Sequence, residues 1–411
     1  MPATGLQCKE CGTEYPLEAL FVCEQCFGPL EVAYDYSGHD AAELKRKIQA
    51  GPQSIWRYSD FLPFSGRPVD TLQPGLTPLL KADRLAERLG VGEVWVKNDA
   101  ANPTHSFKDR VVAVALAKAI ELGFETIACA STGNLANAVA AHSAAAGLDS
   151  YVFVPADLEE QKLLATGVYG TELVGVKGNY DDVNRLCTEL AQERGWAFVN
   201  VNLRPYYAEG SKTLAYEIAE QLGWRLPDRV VCPIASGSLF TKIGRGFTEW
   251  LDLGLIEGEL PTFHGAQAAG CGPVATAFAD GHDVCRPVKP DTIAKSLAIG
   301  TPADGPYALD LARSTGGSVE SVTDDEIRAG IRLLAETTGI FTETAGGVTT
   351  ATLAKLAEAG ELGVDDRIVL VITGEGLKTL DAVREGFEMH EIEPTLASFA
   401  EVVGDRATVA V

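Results

Sequence analysis

The stretch Asn102-Pro103-Thr104-His105-Ser106-Phe107-Lys108-Asp109-Arg110 puts one lysine at the mouth of a helix, between small polar residues and an acid and a base. Residues 92–100, with Val94-Trp95-Val96-Lys97 in alternation, read as a strand, and residues 111–122 as an alanine-rich helix. Lys108 therefore falls in the first turn of a helix that opens on a pocket. An ammonium beside the positive end of a helix is disfavoured, which eases deprotonation to the nucleophilic amine that imine chemistry requires. Taken alone, the lysine is explained equally well as a solvated surface residue.

Three further loops of small residues each follow an apolar run that reads as a buried strand. Ser131-Thr132-Gly133-Asn134 follows residues 126–130, Ala235-Ser236-Gly237-Ser238 follows residues 229–234, and Thr373-Gly374-Glu375-Gly376 follows residues 367–372. In open parallel α/β sheets, ligands bind beyond the carboxyl ends of the strands. Three such loops and Lys108 describe one composite site.

In order and spacing, residues 102–110, 131–134, 235–238 and 373–378 resemble the fold-type-II pyridoxal-phosphate enzymes. Among these the chain is most similar to the threonine synthases. Gly75-Leu76-Thr77-Pro78-Leu79 and Ile293-Ala294-Lys295-Ser296-Leu297-Ala298-Ile299-Gly300 support the resemblance, and the run Glu209-Gly210-Ser211-Lys212-Thr213 distinguishes threonine synthases from dehydratases. The resemblance covers nearly all of the chain after residue 70. It implies an α/β fold with two parallel-sheet, three-layer domains and the active site between them.

Composition agrees. The 411 residues, 46% of them hydrophobic, suffice for two substantial domains. With 57 acidic against 34 basic residues, the net charge of -23 repels nucleic acid and anionic lipid, so a phosphate ligand must be held by local donors. No apolar run approaches the ~20 residues needed to span a bilayer, and Met1-Pro2-Ala3-Thr4-Gly5 lacks signal-peptide character. A cytoplasmic protein is expected.

Cys8, Cys11, Cys23 and Cys26 form two Cys-x2-Cys pairs separated by eleven residues, the spacing of a zinc ribbon with a closed, structural four-thiolate site. Two disulfides or four free thiols compete with this reading; a reducing compartment favours metal. Cys129, Cys187, Cys232, Cys271 and Cys285 read as core residues. The ribbon carries only Lys9 as a basic residue between Thr4 and Val32, which argues against nucleic-acid binding.

The expected organisation is a ribbon over residues 1–32, a connector and first part of the large domain over 33–112, a small inserted α/β domain over 113–203, the large domain again over 204–390, and a tail over 391–411. The connector, with a helix at 41–49, is expected to wrap the enzyme body. Within the insert, residues 151–155 and 171–176 read as strands and 158–165 and 181–193 as helices, an alternation that argues a parallel sheet.

By resemblance, Lys108 carries pyridoxal phosphate and later moves protons at substrate carbon. Ala235, Ser236, Gly237, Ser238 and Leu239 form the phosphate cradle, with serines where the wider group is glycine-rich. Asn134 faces the ring oxygen and Thr373 the pyridine nitrogen. Ser131, Thr132 and Gly133 hold the substrate carboxylate, while Thr104, Asn202, Arg204, Ser211 and Lys212 are candidates for the substrate phosphate; Arg204 and Lys212 read equally well as solvated cations or as ion-pair partners of Glu209. Asp109 and Arg110 read as a motif-stabilising pair, and Lys295 as a structural or phosphate-facing residue. His105 stands where the family most often has glycine and is read as filling space. The other histidines, His39, His142, His264, His282 and His390, show no metal spacing.

The reaction implied is conversion of O-phospho-L-homoserine and water to L-threonine and phosphate by a homodimer. A sibling on the same scaffold, such as cysteate synthase or a threonine or diaminopropionate lyase, is the alternative; dehydratases typically append a regulatory domain, and no such domain follows residue 390.

Overall fold

A computed structural model describes residues 3–66, 72–156, 160–178, 180–384 and 389–403. Its strands, in chain order, are β1 (Ala3–Cys8), β2 (Glu14–Tyr15), β3 (Leu30–Tyr34), β4 (Leu79–Lys81), β5 (Glu93–Asn98), β6 (Thr126–Ala130) and β7 (Asp149–Pro155). They continue with β8 (Glu172–Val176), β9 (Ala197–Phe198), β10 (Arg229–Pro233), β11 (Thr262–Ala268), β12 (Val319–Val322) and β13 (Arg367–Ile372).

These strands make three sheets. The largest runs β12-β11-β10-β13-β5-β4 and is parallel except for the β4 edge. Its central strands are almost wholly apolar because both faces are covered: in β13, all five residues from Ile368 to Ile372 are buried. The second sheet, β8-β7-β6-β9, is entirely parallel and falls within residues 113–203; residue 113 itself sits inside the Lys108–Glu121 helix. Parallel strands need crossover connections, and helices supply them, including Asn134–Ala146 between β6 and β7 and Ser238–Asp252 between β10 and β11.

The N-terminal sheet, β2-β1-β3, is antiparallel, and β3 carries the ribbon to Tyr34, two residues past the expected end at 32. It packs on the body. Leu6, Leu30 and Val32 join an apolar cluster with Val111, Leu116 and Val139, and the Tyr206 hydroxyl donates to the Glu18 carbonyl at 2.7 Å. The connector does wrap the body: its helix Ala41–Ala50 contributes Leu44 and Ile48, and the following turn Tyr58 and Phe61, to the core around Tyr216 and Trp250. In the tail, Leu396–Val403 is helical, while residues 404–411 lie outside the described residues. Residues 157–159, which include the first two residues of the expected 158–165 helix, also lie outside them; the helix is described from Glu160 to Gly167.

Candidate active site

β5, β13 and β10 are adjacent and parallel, so the loops that leave their carboxyl ends lie side by side. Lys108 is the first residue of the helix Lys108–Glu121, three residues before the start the sequence suggested. The loop before it is zipped to the β13 loop: Phe107 N–H donates to the Thr373 carbonyl at 2.9 Å, Glu375 N–H to the His105 carbonyl at 3.1 Å, and Ser106 bridges Gly374. The Lys108 amine is half-buried and donates to the Tyr207 hydroxyl at 2.7 Å.

Buried polar contacts fix this loop from beneath. Asp109 and Arg110 both brace the motif, each through other partners and not through each other. The Asp109 carboxylate accepts from the Thr104 N–H at 2.8 Å, the Thr104 hydroxyl at 2.9 Å and, across a 2.9 Å contact, faces His142 Nε2. Arg110 turns the other way, to Asp99 and Glu217, and Glu217 also takes Lys97 at 2.6 Å. Burial drives the Glu217 carboxyl up, but Arg110 and Lys97 overcome it and hold the group at about 2.

On the far side, the β6 loop leads into the helix Asn134–Ala146, whose Gly133 start has no side-chain cap. Asn134 Nδ2 donates to both oxygens of Glu343 at 3.0 and 3.1 Å, and its Oδ1 accepts from Lys378 at 2.8 Å. Lys378 also donates to the Thr104 carbonyl at 2.6 Å. Glu343 is 4% exposed, and burial raises its carboxyl despite Asn134, Lys378 and Lys108 nearby. Burial likewise lowers the Lys378 ammonium. The sequence reading gave no role to Glu343 or to Tyr207, although Tyr207 lies in the run Arg204–Thr213 that supports the resemblance; both lie far along the chain from Lys108, and only the fold brings them to it.

After β10, Gly237 takes φ 97° and starts the helix Ser238–Asp252, again with no side-chain cap. Asp304 closes behind this loop: its N–H donates to the Ser236 carbonyl at 2.8 Å, its carboxylate takes Arg204 at 2.9 Å, and a Cβ on Gly237 would stand 2.7 Å from its carbonyl oxygen. The residues fit pyridoxal phosphate. The helix starts at Asn134 and Ser238 have no side-chain cap from the residue before them, so first-turn N–H groups there suit a carboxylate and the phosphate. At Lys108, by contrast, the Asp109 and Arg110 N–H groups already donate to the Ser106 and Phe107 carbonyls at 3.3 and 3.1 Å. Gly133 adds no bulk, since a Cβ there would meet nothing within 4 Å.

Several expected substrate contacts are committed elsewhere. Lys212 is fully buried between Glu209 at 2.6 Å and Glu249 at 3.1 Å, so its ammonium neutralises core carboxylates and the sequence reading of it as a phosphate ligand is corrected. Asn202 spends its amide on the Phe198 N–H at 2.8 Å and the Trp196 carbonyl at 3.0 Å, ending β9. The Thr104 hydroxyl is held by Asp109. Ser211 is buried and Lys295 exposed, and the His105 side chain is 61% exposed and so fills no interior space. His105 has φ 62°, in the left-handed backbone region that glycine adopts without strain.

The four ribbon sulfurs lie within 4.8 Å of one another, with Cys8–Cys26 and Cys11–Cys26 at 3.4 Å and Cys11–Cys23 at 3.6 Å. Four thiolates gathered so closely suit tetrahedral metal coordination.

Residues 71–374 match the family model described as "Pyridoxal-phosphate dependent enzyme". The chain belongs to this family. A threonine synthase of Methanosarcina acetivorans is 39% identical over 394 residues, covering 95% of each chain. One from Methanocaldococcus jannaschii is 40% identical, covering 94% of this chain and 96% of its own. Among solved structures, threonine deaminase isoform 2 from Solanum lycopersicum aligns with a TM-score of 0.65 at 21% identity, over 86% of this chain and 96% of that one. Diaminopropionate ammonia lyase from Escherichia coli aligns at 0.64 and 20%, over 84% and 91%. These two likenesses establish the shared fold. Among the described residues, no helix is long and apolar enough to cross a membrane.

Proposed function

We propose that the protein is a threonine synthase, converting O-phospho-L-homoserine and water to L-threonine and phosphate. The reading is carried by near end-to-end similarity, at 39–40% identity, to proteins of that name. When bound, pyridoxal phosphate supplies an electron sink next to the substrate's amino-bearing carbon.

The chain's own residues do the rest. Lys108 holds the cofactor through Nζ and, once free, takes and returns protons at substrate carbon. Ala235, Ser236, Gly237, Ser238 and Leu239 receive the cofactor phosphate on the open helix start. Thr373 presents a hydroxyl to the ring nitrogen. Asn134 would donate to the ring oxygen by turning one of its two N–H groups away from Glu343, whose oxygens it now holds at 3.0 and 3.1 Å. Ser131, Thr132 and Gly133 hold the substrate carboxylate at the second helix start, and Arg204, 31% exposed at its side chain, is the cation retained for substrate phosphate.

Zinc on the four ribbon cysteines, a homodimer, a cytoplasmic location and the division into large and inserted domains complete the proposal. Zinc content per chain and mass in solution test the first two.

The deciding experiment measures phosphate release and amino acid product with cofactor-loaded protein and O-phospho-L-homoserine, beside Lys108→Ala. Equal threonine and phosphate, lost in the variant, is the expected result. Product from phosphoserine and sulfite, with none from phosphohomoserine, would overturn it in favour of cysteate synthase.

A further inference from the structure

We infer that Tyr207 is a positioning residue for the Lys108 amine, accepting a hydrogen bond from it whenever that amine is free and charged. This rests on the reading of Lys108 as the cofactor lysine. The amine lies 2.7 Å from the phenol oxygen, and 4.6 and 5.3 Å from the ring centres of Phe107 and Tyr207. Among the described residues, no carboxylate forms an ion pair with it, so the phenol oxygen is its directed acceptor.

Tyr207 is held in place from both sides along its own helix, Arg204–Glu209. Its neighbour Tyr206 is tied to the ribbon through Glu18 and lies under Lys118, 5.2 Å from the ring centre. Glu209 is buried against Lys242 at 2.7 Å, Lys212 at 2.6 Å and the Tyr34 hydroxyl at 2.7 Å. Gly210 brings the chain so near the Lys108 helix that a Cβ would stand 2.5 Å from the Arg110 carbonyl oxygen. The phenol is therefore fixed relative to Lys108 by contacts that do not involve Lys108 itself.

The consequence is directional. A proton leaving substrate carbon lodges on Nζ, and bound pyridoxal phosphate would supply the electron sink for the pair left behind. The phenol oxygen accepts one N–H of the new ammonium, which stabilises the charged form and orients the remaining protons for return.

Tyr207→Phe removes the oxygen and keeps the ring. In the holoenzyme kcat falls roughly 10- to 100-fold, the worth of one hydrogen bond to a charged group, with KM little changed. The acidic limb of the kcat profile moves to lower pH, because the ammonium has lost its acceptor. The pH midpoint for attachment of added pyridoxal phosphate to the resolved protein, followed by absorbance, moves the same way. Unchanged kcat and unmoved midpoints would overturn the inference alone, provided Lys108→Ala has lost the lysine-linked absorbance. If Lys108→Ala keeps that absorbance, the assigned role of Lys108 and this inference fall together.

Discussion

Arg110 and Asp99 meet fork to fork inside the protein, Nε to Oδ2 at 2.7 Å and Nη2 to Oδ1 at 2.8 Å, with neither side chain exposed. Glu217 occupies the other side of the guanidinium, Lys97 balances its charge, and the Thr77 and Thr213 hydroxyls fill the remaining positions. Two cations and two anions thus join the end of β5, the helix bearing Lys108 and the helix Lys212–Gln221. Arg110→Lys keeps the charge but not the planar fork, and Arg110→Ala leaves buried carboxylates unpaired. The alanine variant should lose about 3–5 kcal/mol of stability, read as a lower urea midpoint. A change below about 1 kcal/mol would show that the quartet is dispensable.

The same quartet sets acid stability. Glu217 is held at about 2 in the folded protein against an ordinary 4.5, and Glu31 likewise through Lys242 and Lys9 after burial has pushed it up. A depressed carboxyl stabilises the fold above its unfolded value and loses that contribution as pH falls through the folded one. Stability should therefore drop between about 4.5 and 2, with proton uptake on unfolding. Glu217→Gln should flatten that slope in a series of denaturation midpoints while lowering stability at neutral pH.

Gly237→Ala tests the cofactor cradle. Alanine at φ 97° is strained, and its Cβ would press on the Asp304 carbonyl at 2.7 Å, so the loop must shift. The expected outcome is weaker cofactor retention on dialysis, about 5- to 30-fold in dissociation constant for a cost of about 1–2 kcal/mol, with the global unfolding midpoint less affected. Retention equal to the parent would place the phosphate elsewhere.

Metal removal should act on stability before chemistry. The ribbon reaches the body through Glu31 to Lys242 at 3.0 Å, Lys9 over the Tyr307 ring at 3.4 Å, and Glu10 to Tyr307. Chelation or Cys8→Ser should lower the thermal midpoint and leave turnover per folded chain near the parent's. Loss of turnover at an unchanged midpoint would assign the ribbon a direct part in the reaction.

The apolar runs at 126–130, 229–234 and 367–372 were legible as strands because buried parallel strands are nearly continuous in Val, Ile and Ala, and the small-residue loops marked their carboxyl ends. Lys108 was legible from that position. What could not be read was partnership across the chain. Asp109 and Arg110 are sequence neighbours, yet successive helical residues point in different directions, so one meets His142 and the other Glu217. For Lys212 an ion pair with Glu209 was legible beside the phosphate reading, and the structure has that pair; what the sequence did not show was its burial and the second carboxylate, Glu249, which comes from the helix Ser238–Asp252. Glu343 gave no local sign of its place beside Asn134, which depends on two loops 209 residues apart.

His105→Gly offers a last separation of backbone need from side-chain chemistry. The residue's φ of 62° costs a non-glycine side chain about 1 kcal/mol, whereas glycine loses more entropy on folding by a similar amount. Its imidazole is 61% exposed, with Nδ1 3.9 Å from Glu375, a pair worth little in water. The contact that matters to the site, Glu375 N–H to the His105 carbonyl at 3.1 Å, belongs to the backbone and survives the change. Stability should therefore stay within about 1 kcal/mol and turnover within about twofold. A tenfold loss of turnover at unchanged stability would instead give the imidazole a role with the substrate phosphate or a moving proton, and the tolerance for histidine at a left-handed position would need a functional cause.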